Sequence, residues 1–553
     1  MPARKSCNRF LVIIASVAVA LAAVPPENKV WPRPVLVPVP AAVAGVSRPV
    51  ISLEGKWRFN AAPPADFWNN SVDPAAWLEV TVPGQLSTQG IDAQGALGGG
   101  GRGARTAPQG SQIAYKTKMA IPADFAGKRV VLKFQGVTAY AKVWVNGAYI
   151  RDHFGGFTAW TCDITERVIA GQDAWLTVGV TNRREGISGF NDGSILRDVK
   201  LMAVPRDHMV RFNLDTTFDA NYRDAVLKVW IAMALGEGAS GRVTVTLKDG
   251  DGKAVALNPS TIELTRANPE TIVEIPVAAP RKWDAEHPNL YTLEARVGDE
   301  TVSRAFGFRQ ITRAGRRLLV NGKEVKLHGV DRNDIYPLTG RSIPPEQCDR
   351  DARIFRAANI NFIRTSHYPP MEEFLEAADR YGLYVDDEAS VAFAVNGVQN
   401  DPEYTPDFLN QWSEQIERDR SHPSVLMWSM GNESAYGRNI RKQYDYVKIE
   451  DPTRPVIFSW SDLAPFGTAP PYEIYSLHYA YYDSDPSAFS DLWSGTWWNP
   501  GYAKNFSVAG QKQAQLDVPV MHDESTHIPA YDLHEQMRDP GVRNFWGETI
   551  KRF

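Results

Sequence analysis

The sequence predicts a multidomain protein in which two β-sandwiches precede an α/β barrel. Residues 51–311 consist of short runs of alternating apolar and polar residues, separated by Gly, Asn and Pro, which is typical of β-sandwiches. After Arg313, short apolar strands alternate with helical stretches, which is typical of a parallel (β/α)8 TIM barrel. With 553 residues, of which 43% are hydrophobic and 22% charged, the chain is long enough to form several separate cores.

The N-terminus has the features of a secretory signal peptide. Arg4, Lys5 and Arg9 precede an apolar run that ends near residue 24 in small residues typical of a cleavage site. A membrane anchor is the alternative, but the run is shorter than the ~20 residues that a transmembrane helix needs. We therefore expect a signal peptide over residues 1–24, no membrane span after its removal, and an exported protein, either periplasmic or extracellular.

Three segments are predicted between the signal peptide and the barrel. Residues 25–50 are rich in Pro, Ala and Val and carry little charge, which predicts an extended linker. The first β-rich block covers residues 51–206. The second covers 207–311, and its length of about 100 residues fits an immunoglobulin-like sandwich.

Charge and cysteine content exclude several classes of function. The formal net charge is -4 with both signs interspersed, so there is no basic surface for nucleic acid. Cys7 would leave with the signal peptide, and Cys162 and Cys348 lie in different predicted domains, so a disulfide is not favoured. Neither of these two has neighbours at zinc-ligand spacing.

Residues 312–553 are predicted to form the barrel, but only seven strands can be counted. They are KLHGV, NFIRTSH, LYVDDE, VLMWSMGNE, VIFSW, IYSLHY and VPVMHDES. A closed barrel of this class has eight strands. The sequence therefore predicts a barrel that is incomplete at its C-terminal end, either because the chain is a fragment or because it is a truncated, inactive product.

Polar residues follow the apolar core of several barrel strands. In TIM barrels the residues of the active site lie at the C-terminal ends of the strands. Taken singly, each polar residue is more often a structural ion pair than a catalytic group, but their convergence on one end of the barrel argues for a site. These strand-end residues are Arg364, Ser366 and His367, then Asp387 and Glu388, Asn432 and Glu433, His478 and Tyr479, and Glu524 and His527.

Two of these strand ends carry a glutamate after an apolar run. HPSVLMWSMGNES presents Glu433, and VPVMHDESTH presents Glu524. Retaining glycosidases use one carboxyl group as acid and base and a second as nucleophile, with the two roughly 5 Å apart. Two glutamates at the end of one barrel therefore predict glycoside hydrolysis.

The ordered motifs resemble glycoside hydrolase family 2, the family of β-galactosidases, β-glucuronidases and β-mannosidases. VWVNGAYIRDHFGGFTAWTCDIT resembles the sugar-binding jelly roll of the family, and FGFRQI resembles the start of its barrel. LLVNGKEVKLHGVDRND, RTSHYPP, DRYGLYVDDEA and HPSVLMWSMGNES resemble its catalytic domain. The resemblance implies a jelly roll over residues 51–206 and catalysis without an organic cofactor.

The resemblance also implies the roles of the two glutamates, with Glu433 as general acid and base and Glu524 as nucleophile. A nucleophilic carboxylate must stay ionised, and we expect His527 and Tyr479 to donate hydrogen bonds that keep Glu524 so. Glu433 must be protonated before the first step, which a less polar setting favours.

Five further residues are assigned by the resemblance to substrate binding or to its support. Asn432 is expected to bind the sugar 2-hydroxyl, Arg364 to orient the nucleophile, and His367 to contact sugar hydroxyls. Glu388 is either a support of the active site or simply a buried partner of Arg364. Asp192, in a jelly-roll loop, either reaches a sugar hydroxyl or only forms a turn.

Departures from the family pattern bear on metal and substrate. Tyr336 and Thr339 stand where family β-galactosidases often have sugar-contacting histidines, and Ala392 and Ala394 stand where the best-known ones bind magnesium. We therefore predict no metal.

The favoured function is a retaining exo-β-galactosidase acting on an oligosaccharide or glycoside. The alternatives are a β-glucuronidase or a non-catalytic carbohydrate-binding protein, and the family also allows a homo-oligomer.

Overall fold

The structure is a computed structural model that describes residues 33–91, 112–181, 187–188, 190–394, 397–459, 472–478 and 518–524. The predicted signal peptide, Tyr479 and His527 lie outside these residues, so what was predicted for them stays a prediction. Within the described ranges, no helix combines the length and the apolar character needed to cross a membrane.

The segment before the first sandwich is packed against the protein. Strand β1, Ala42–Val43, pairs antiparallel with residues 300–301. Val37 is buried in a cluster with Val131 and Met202. The prediction of a linker over 25–50 is therefore wrong for residues 36–50, because burial of their apolar side chains outweighs the entropy lost on ordering them.

In its described residues, the first sandwich has ten strands in two antiparallel sheets. The orders are β4-β3-β5-β10-β7-β8 and β2-β11-β6-β9, with one apolar core between them. This arrangement confirms the predicted sandwich. The strands are β2 Val50–Ser52, β3 Gly55–Asn60, β4 Leu78–Val82, β5 Ile113–Ala120, β6 Arg129–Phe134, β7 Tyr140–Val145, β8 Ala148–Phe154, β9 Trp160–Asp163, β10 Asp173–Thr181 and β11 Val199–Val204.

The second sandwich is formed by eight strands together with β1. One sheet has the order β12-β13-β17, and the other has the order β1-β19-β18-β14-β15, with β16 also paired to β14. Apolar and polar residues alternate along β14, so one of its faces lies in the core. The strands are β12 His208–Phe218, β13 Ala225–Ala234, β14 Ser240–Lys248, β15 Ala254–Val255, β16 Thr261–Thr265, β17 Glu270–Val277, β18 Tyr291–Val297 and β19 Glu300–Phe306.

A small antiparallel sheet precedes the barrel, with β20 Ile311–Ala314, β21 Arg317–Val320 and β22 Lys323–Glu324. The described part of the barrel sheet then has seven parallel strands in chain order. They are β23 Gly329–Arg332, β24 Phe362–Thr365, β25 Tyr384–Glu388, β26 Val425–Ser429, β27 Val456–Phe458, β28 Ile474–His478 and β29 Val520–Glu524. All seven predicted strands are confirmed. Residues after Glu524 lie outside the described ranges, so the incomplete barrel stays a prediction.

Four helices are described between the barrel strands: α1 Pro345–Ala357, α2 Glu372–Tyr381, α3 Thr405–Asp419 and α4 Arg438–Glu450. Helix α1 begins at a proline, whose missing N–H is not needed in the first turn. Helix α2 ends at Gly382, whose φ of 75° is in the left-handed region that glycine adopts readily.

The first sandwich is fixed to the barrel by buried polar contacts. Glu414 on α3 accepts a hydrogen bond from Thr158 Oγ1 at 2.6 Å and lies 2.9 Å from His153 Nε2. Arg197, close to β11, pairs with Asp334 after β23 at 3.0 Å, and both side chains are buried. These contacts hold the first sandwich against helix α3 and against the segment that follows β23.

The second sandwich is joined to the barrel in a similar way. Arg309 donates from Nη2 to the Val425 carbonyl at 3.0 Å, and Trp283 Nε1 donates to the Asp379 carbonyl at 2.9 Å.

The cysteines of the described part, Cys162 and Cys348, are both buried and free, in agreement with the prediction that they do not pair.

Candidate active site

The guanidinium of Arg364, at the end of β24, is the centre of the polar network in the barrel. It is buried, with Nη1 3.0 Å from Glu524 Oε2, Nη2 2.9 Å from Asn432 Oδ1 and Nε 2.9 Å from Glu388 Oε2. A planar guanidinium can direct several N–H groups to different acceptors in this way. Arg364 therefore brings together four strand ends that the sequence analysis had selected.

Glu524 is the last residue of β29, and its side chain is 13% exposed. The Arg364 cation at 3.0 Å favours the ionised carboxylate, which is the form that a nucleophile needs. The hydrogen bonds predicted from His527 and Tyr479 fall outside the described residues. Arg364 thus supplies one contact of the kind that was expected from those two side chains.

Glu388, the last residue of β25, is fully buried and has three side-chain partners. Its Oε2 accepts from Arg364 and from Ser429 Oγ at 3.0 Å, and its Oε1 lies 2.8 Å from His367 Nδ1. These contacts match both alternatives for Glu388, because it is a buried partner of Arg364 and it also holds the imidazole of His367 in place.

Glu433 is positioned by the backbone that follows β26. Asn432 donates from its N–H to the Val391 carbonyl at 2.8 Å and accepts at its own carbonyl from Phe393 N–H at 3.1 Å. Gly431 has a φ of 131° and Glu433 a φ of 38°. A β-carbon on Gly431 would lie well inside contact distance of the Val391 carbonyl oxygen, so only glycine allows this close approach.

Asp192 has the contacts of a turn residue. Its Oδ1 accepts from Thr138 Oγ1 at 2.7 Å and from Ser194 N–H at 3.0 Å, and the side chain is buried. Its Oδ2 makes no hydrogen bond with any residue that the structure describes. The contacts favour the turn over the sugar-binding role, which stays a prediction.

Sequence reasoning missed three polar residues of the same network. Asp331 on β23 lies 3.4 Å from Arg364 Nη1, and Ser459 after β27 accepts from Arg364 Nη2 at 3.1 Å. Asp523, one residue before the predicted nucleophile, accepts from Ser476 Oγ at 2.7 Å. The strand-end rule that selected the other residues would also have found Asp331 and Ser459, had it been applied to the first and fifth strands.

Acidic side chains crowd around the single Arg364 cation. The side chain of Asp331 is 30% exposed, yet lost hydration raises its pKa to about 6; the neighbouring Glu524 raises it too, and Arg364 opposes both. Asp386, paired in register with Arg364 across β24 and β25, is fully buried. Burial and the nearby Glu388 raise the pKa of Asp386 well above its usual value. Neither of its carboxyl oxygens makes a hydrogen bond within the described ranges.

The predicted absence of a metal is not tested by the structure. Among the described residues, no group of three or more His, Cys, Asp or Glu side chains could hold a metal ion. The prediction that no catalytic magnesium binds near Ala392 and Ala394 therefore stays a prediction.

Solved structures resemble the fold of the chain. An apo β-glucuronidase from Ruminococcus gnavus superimposes with a TM-score of 0.72 at 21% identity, over 95% of this chain and 92% of that one. A glycosyl hydrolase family 2 member from Bacteroides cellulosilyticus superimposes with a TM-score of 0.66 at 24% identity, over 89% of this chain and 65% of that one. At these identities the likeness concerns the fold alone.

Curated relatives of the chain include β-galactosidases. One from Halalkalibacterium halodurans is 29% identical over 446 residues, which are 73% of this chain and 43% of the relative. One from Streptococcus thermophilus is 30% identical over 446 residues, which are 73% of this chain and 42% of the relative. The chain thus spans less than half the length of these relatives.

Sequence models of one family match three consecutive parts of the chain. The sugar binding domain of glycosyl hydrolases family 2 matches residues 50–205, a second model of that family matches 208–309, and its TIM barrel domain matches 311–494. Because the three domains occur in order and agree with the observed fold, the chain belongs to glycoside hydrolase family 2.

Proposed function

We propose that this chain is a retaining exo-β-glycosidase, most simply a β-galactosidase, that hydrolyses terminal β-linked sugars. The observation that carries the proposal is the set of contacts made by Arg364. Its guanidinium binds Glu524 at 3.0 Å and also binds Asn432, the neighbour of Glu433, at 2.9 Å. These contacts support placing both glutamates beside one cleft, as a retaining mechanism requires.

In the proposed first step, the Glu524 carboxylate attacks the anomeric carbon while the bond from that carbon to the aglycone oxygen breaks. Glu433 gives its proton to the departing oxygen, and the sugar becomes bonded to Glu524 as an ester. In the second step, Glu433 takes a proton from water as that water attacks the anomeric carbon. Each step inverts the configuration at the anomeric carbon, so the released sugar has retained configuration, and both glutamates return to their starting protonation states.

The neighbouring side chains have supporting roles in this proposal. Arg364 keeps Glu524 ionised and oriented, Asn432 binds the sugar 2-hydroxyl, and His367 contacts other hydroxyls. The bond of 2.8 Å between His367 Nδ1 and Glu388 leaves the other ring nitrogen, Nε2, to face a ligand.

The β-galactosidase assignment is supported by the curated relatives at 29% and 30% identity.

A β-glucuronidase is the second candidate, and the position of Arg341 is the observation that favours it. Its guanidinium lies over the Phe190 ring, 5.0 Å from the centroid, and its buried Nε has no hydrogen bond to any described residue. An arginine beside the cleft could pair with the carboxylate of a uronic acid.

A panel of aryl β-glycosides tests the substrate. We expect the 4-nitrophenyl β-galactoside to have the highest kcat/KM, and Arg341→Gln to change that value little. If the β-glucuronide is preferred, and Arg341→Gln removes that preference, the second candidate is correct and the β-galactosidase proposal is wrong.

The variant Glu524→Gln separates an enzyme from a carbohydrate-binding protein. On the enzyme proposal, kcat falls by several orders of magnitude, since the amide cannot attack, while galactoside binding persists. Glu263→Gln is the matched control, because Glu263 is 61% exposed and lies in the second sandwich. A wild-type chain that binds galactosides but hydrolyses none would instead support the non-catalytic alternative.

A covalent intermediate is the sharpest test of retention. A 2-deoxy-2-fluoro-β-galactosyl donor with a good leaving group should label the wild-type chain, and peptide mapping should find the sugar on Glu524. Labelling of a different residue, or inversion of the product anomer, would contradict the proposed mechanism.

We also propose that the protein is exported, on the basis of the basic and apolar residues that precede residue 25. N-terminal sequencing of the protein produced in a bacterial host, after cell fractionation, tests this. Mature protein outside the cytoplasm with a start near residue 25 is expected, whereas an intact Met1 in the cytoplasm would contradict export.

A further inference from the structure

We propose that Phe190 and Phe393 form an apolar subsite for the aglycone, so that the preferred substrates are β-glycosides with an aromatic aglycone. This inference rests on the proposed glycosidase function and specifies its substrate class. Neither phenylalanine was selected from the sequence.

Three rings from separate segments lie close together at this position. The ring centroids are 6.1 Å apart for Phe190 and His367, 6.3 Å for His367 and Phe393, and 6.5 Å for Phe190 and Phe393. Phe190 comes from a loop of the first sandwich, and Phe393 follows β25 of the barrel. The two domains thus contribute one ring each beside the His367 imidazole.

On the proposed mechanism, the segment that carries Phe393 lies on the side of the site where the aglycone leaves. Phe393 donates from its N–H to the carbonyl of Asn432 at 3.1 Å, and Glu433 is the next residue. A general acid must be within hydrogen-bond reach of the oxygen to which it gives its proton. On the proposed mechanism that oxygen belongs to the aglycone, so the aglycone lies next to Glu433 and within reach of the segment that carries Phe393.

The conformation of Phe393 indicates that its ring is not there for core packing. The side chain is 38% exposed, and its φ of 63° is unfavourable for a bulky residue. The backbone is held in this state by the hydrogen bond to Asn432 and by the bond from Ala392 N–H to the Ile187 carbonyl at 2.8 Å. An exposed ring kept in a strained conformation beside the acid is suited to stacking on a flat ligand.

The sequence neighbours of Phe393 carry no charge. Val391, Ala392 and Ala394 are all buried and apolar, so the segment from Val391 to Ala394 adds no polar side chain beside the Phe393 ring. This composition favours an aryl aglycone over a second sugar, whose hydroxyl groups would lose hydrogen bonds to water there.

Phe393→Asn is the test, because asparagine tolerates a positive φ and lacks the ring. The substrates are 4-nitrophenyl β-galactoside and methyl β-galactoside, which share the sugar and differ in the aglycone. We expect KM for the aryl galactoside to rise about tenfold, while kcat/KM for the methyl galactoside stays within about twofold of wild type, since it makes no stacking contact.

Two further variants control for folding and for surface aromatics in general. Phe393→Tyr keeps the ring and should keep the wild-type KM for the aryl galactoside. Tyr149→Ala removes a ring that is 52% exposed on β8, away from the site, and should change neither substrate. An equal loss for both galactosides in Phe393→Asn, or no loss for either, would overturn the aglycone subsite.

The subsite can be judged separately from turnover. If the wild-type chain hydrolyses neither galactoside, the proposed function fails, and calorimetry with phenyl and methyl 1-thio-β-galactosides then tests the subsite alone. Binding of the phenyl compound that is selectively weakened in Phe393→Asn supports it. Binding of neither compound, or equal weakening of both, overturns it.

Discussion

Arg364 and Glu524 form an ion pair of 3.0 Å although four strands separate β24 from β29 in the order of the sheet. Adjacent strands lie about 4.8 Å apart, so in a flat sheet these two would be about 24 Å apart, which is beyond the combined reach of the two side chains. The sheet therefore curves until β29, the fifth strand along from β24, faces β24, and the ion pair spans the interior of that curve.

Arg364→Lys should reduce kcat/KM by about 100-fold or more. A lysine ammonium keeps the positive charge, but it cannot replace the separate contacts to Glu524, Asn432 and Glu388, so the nucleophile loses its orientation. Steady-state kinetics with an aryl galactoside measures the effect.

The control for this change is Arg380→Lys. Arg380 pairs with Asp349 at 2.8 Å on the surface, where both side chains are more than 40% exposed. Surface pairs of this kind contribute little, so activity should stay within about twofold of wild type. If Arg364→Lys behaves like Arg380→Lys, Arg364 does not orient the nucleophile.

Gly431→Ala should lower the free energy of unfolding by about 3 kcal/mol or more and also reduce kcat. The added methyl group would collide with the Val391 carbonyl at a φ of 131°, and relief of the collision must move Asn432 and Glu433. Gly45→Ala is matched in having a positive φ of 78°, but no atom lies within 4 Å of its β-carbon. It should cost only about 1 kcal/mol, without any effect on kcat. Equal effects from the two changes would show that the close approach at Gly431 is unimportant.

Asp386→Val should raise the free energy of unfolding at pH 7 by about 1 to 3 kcal/mol. The valine has a similar shape and removes a fully buried carboxyl group that has no hydrogen bond within the described part of the chain. The pKa of Asp386 is raised in the folded state. The protonated carboxyl group therefore contributes stability at low pH, and this contribution is lost as the pH rises. The gain should therefore be larger at pH 8 than at pH 5 in urea titrations. A loss of stability at both pH values would mean that Asp386 has a partner that the valine removes.

Glu300→Gln should flatten the pH dependence of stability. Burial raises the pKa of Glu300 to about 7, so the folded protein keeps a proton that the unfolded chain releases near pH 4.5. The stability that this group contributes is complete below pH 4.5 and is lost as the pH rises through about 7. Between pH 5 and pH 8 the wild type should lose about 2 to 3 kcal/mol more than the variant.

The comparison is made by urea unfolding at both pH values. Glutamine can still accept the hydrogen bond from Met209 N–H, which is 2.8 Å from Glu300 Oε2, so the native contact survives in the variant. The exposed Glu263→Gln should keep the wild-type pH dependence. Identical curves for wild type and Glu300→Gln would show that Glu300 is ionised in the folded protein.

Much of the barrel could be predicted from the sequence because its signals are local. Apolar runs of four to eight residues that end in polar groups correspond to β23–β29, and the predicted helical segments correspond to α1 and α2. Glu433, Glu524, Arg364 and Glu388 were found because each stands in the polar residues that end a short apolar run. The packing of residues 36–50 was missed because Pro and Val predict an extended chain without indicating what that chain contacts.

The sequence by itself determined the order of the domains, the family and the residues that stand at the strand ends, because each of these depends on neighbours along the chain. Only the tertiary structure decided which of those residues meet. In the fold, Arg364 contacts Glu524, Asn432 and Glu388. Asp192 accepts a hydrogen bond from Thr138, and the rings of Phe190 and Phe393 lie near His367. These contacts join residues that are far apart in sequence, and they depend on the curvature of the sheet and the docking of the sandwiches, which no local pattern encodes.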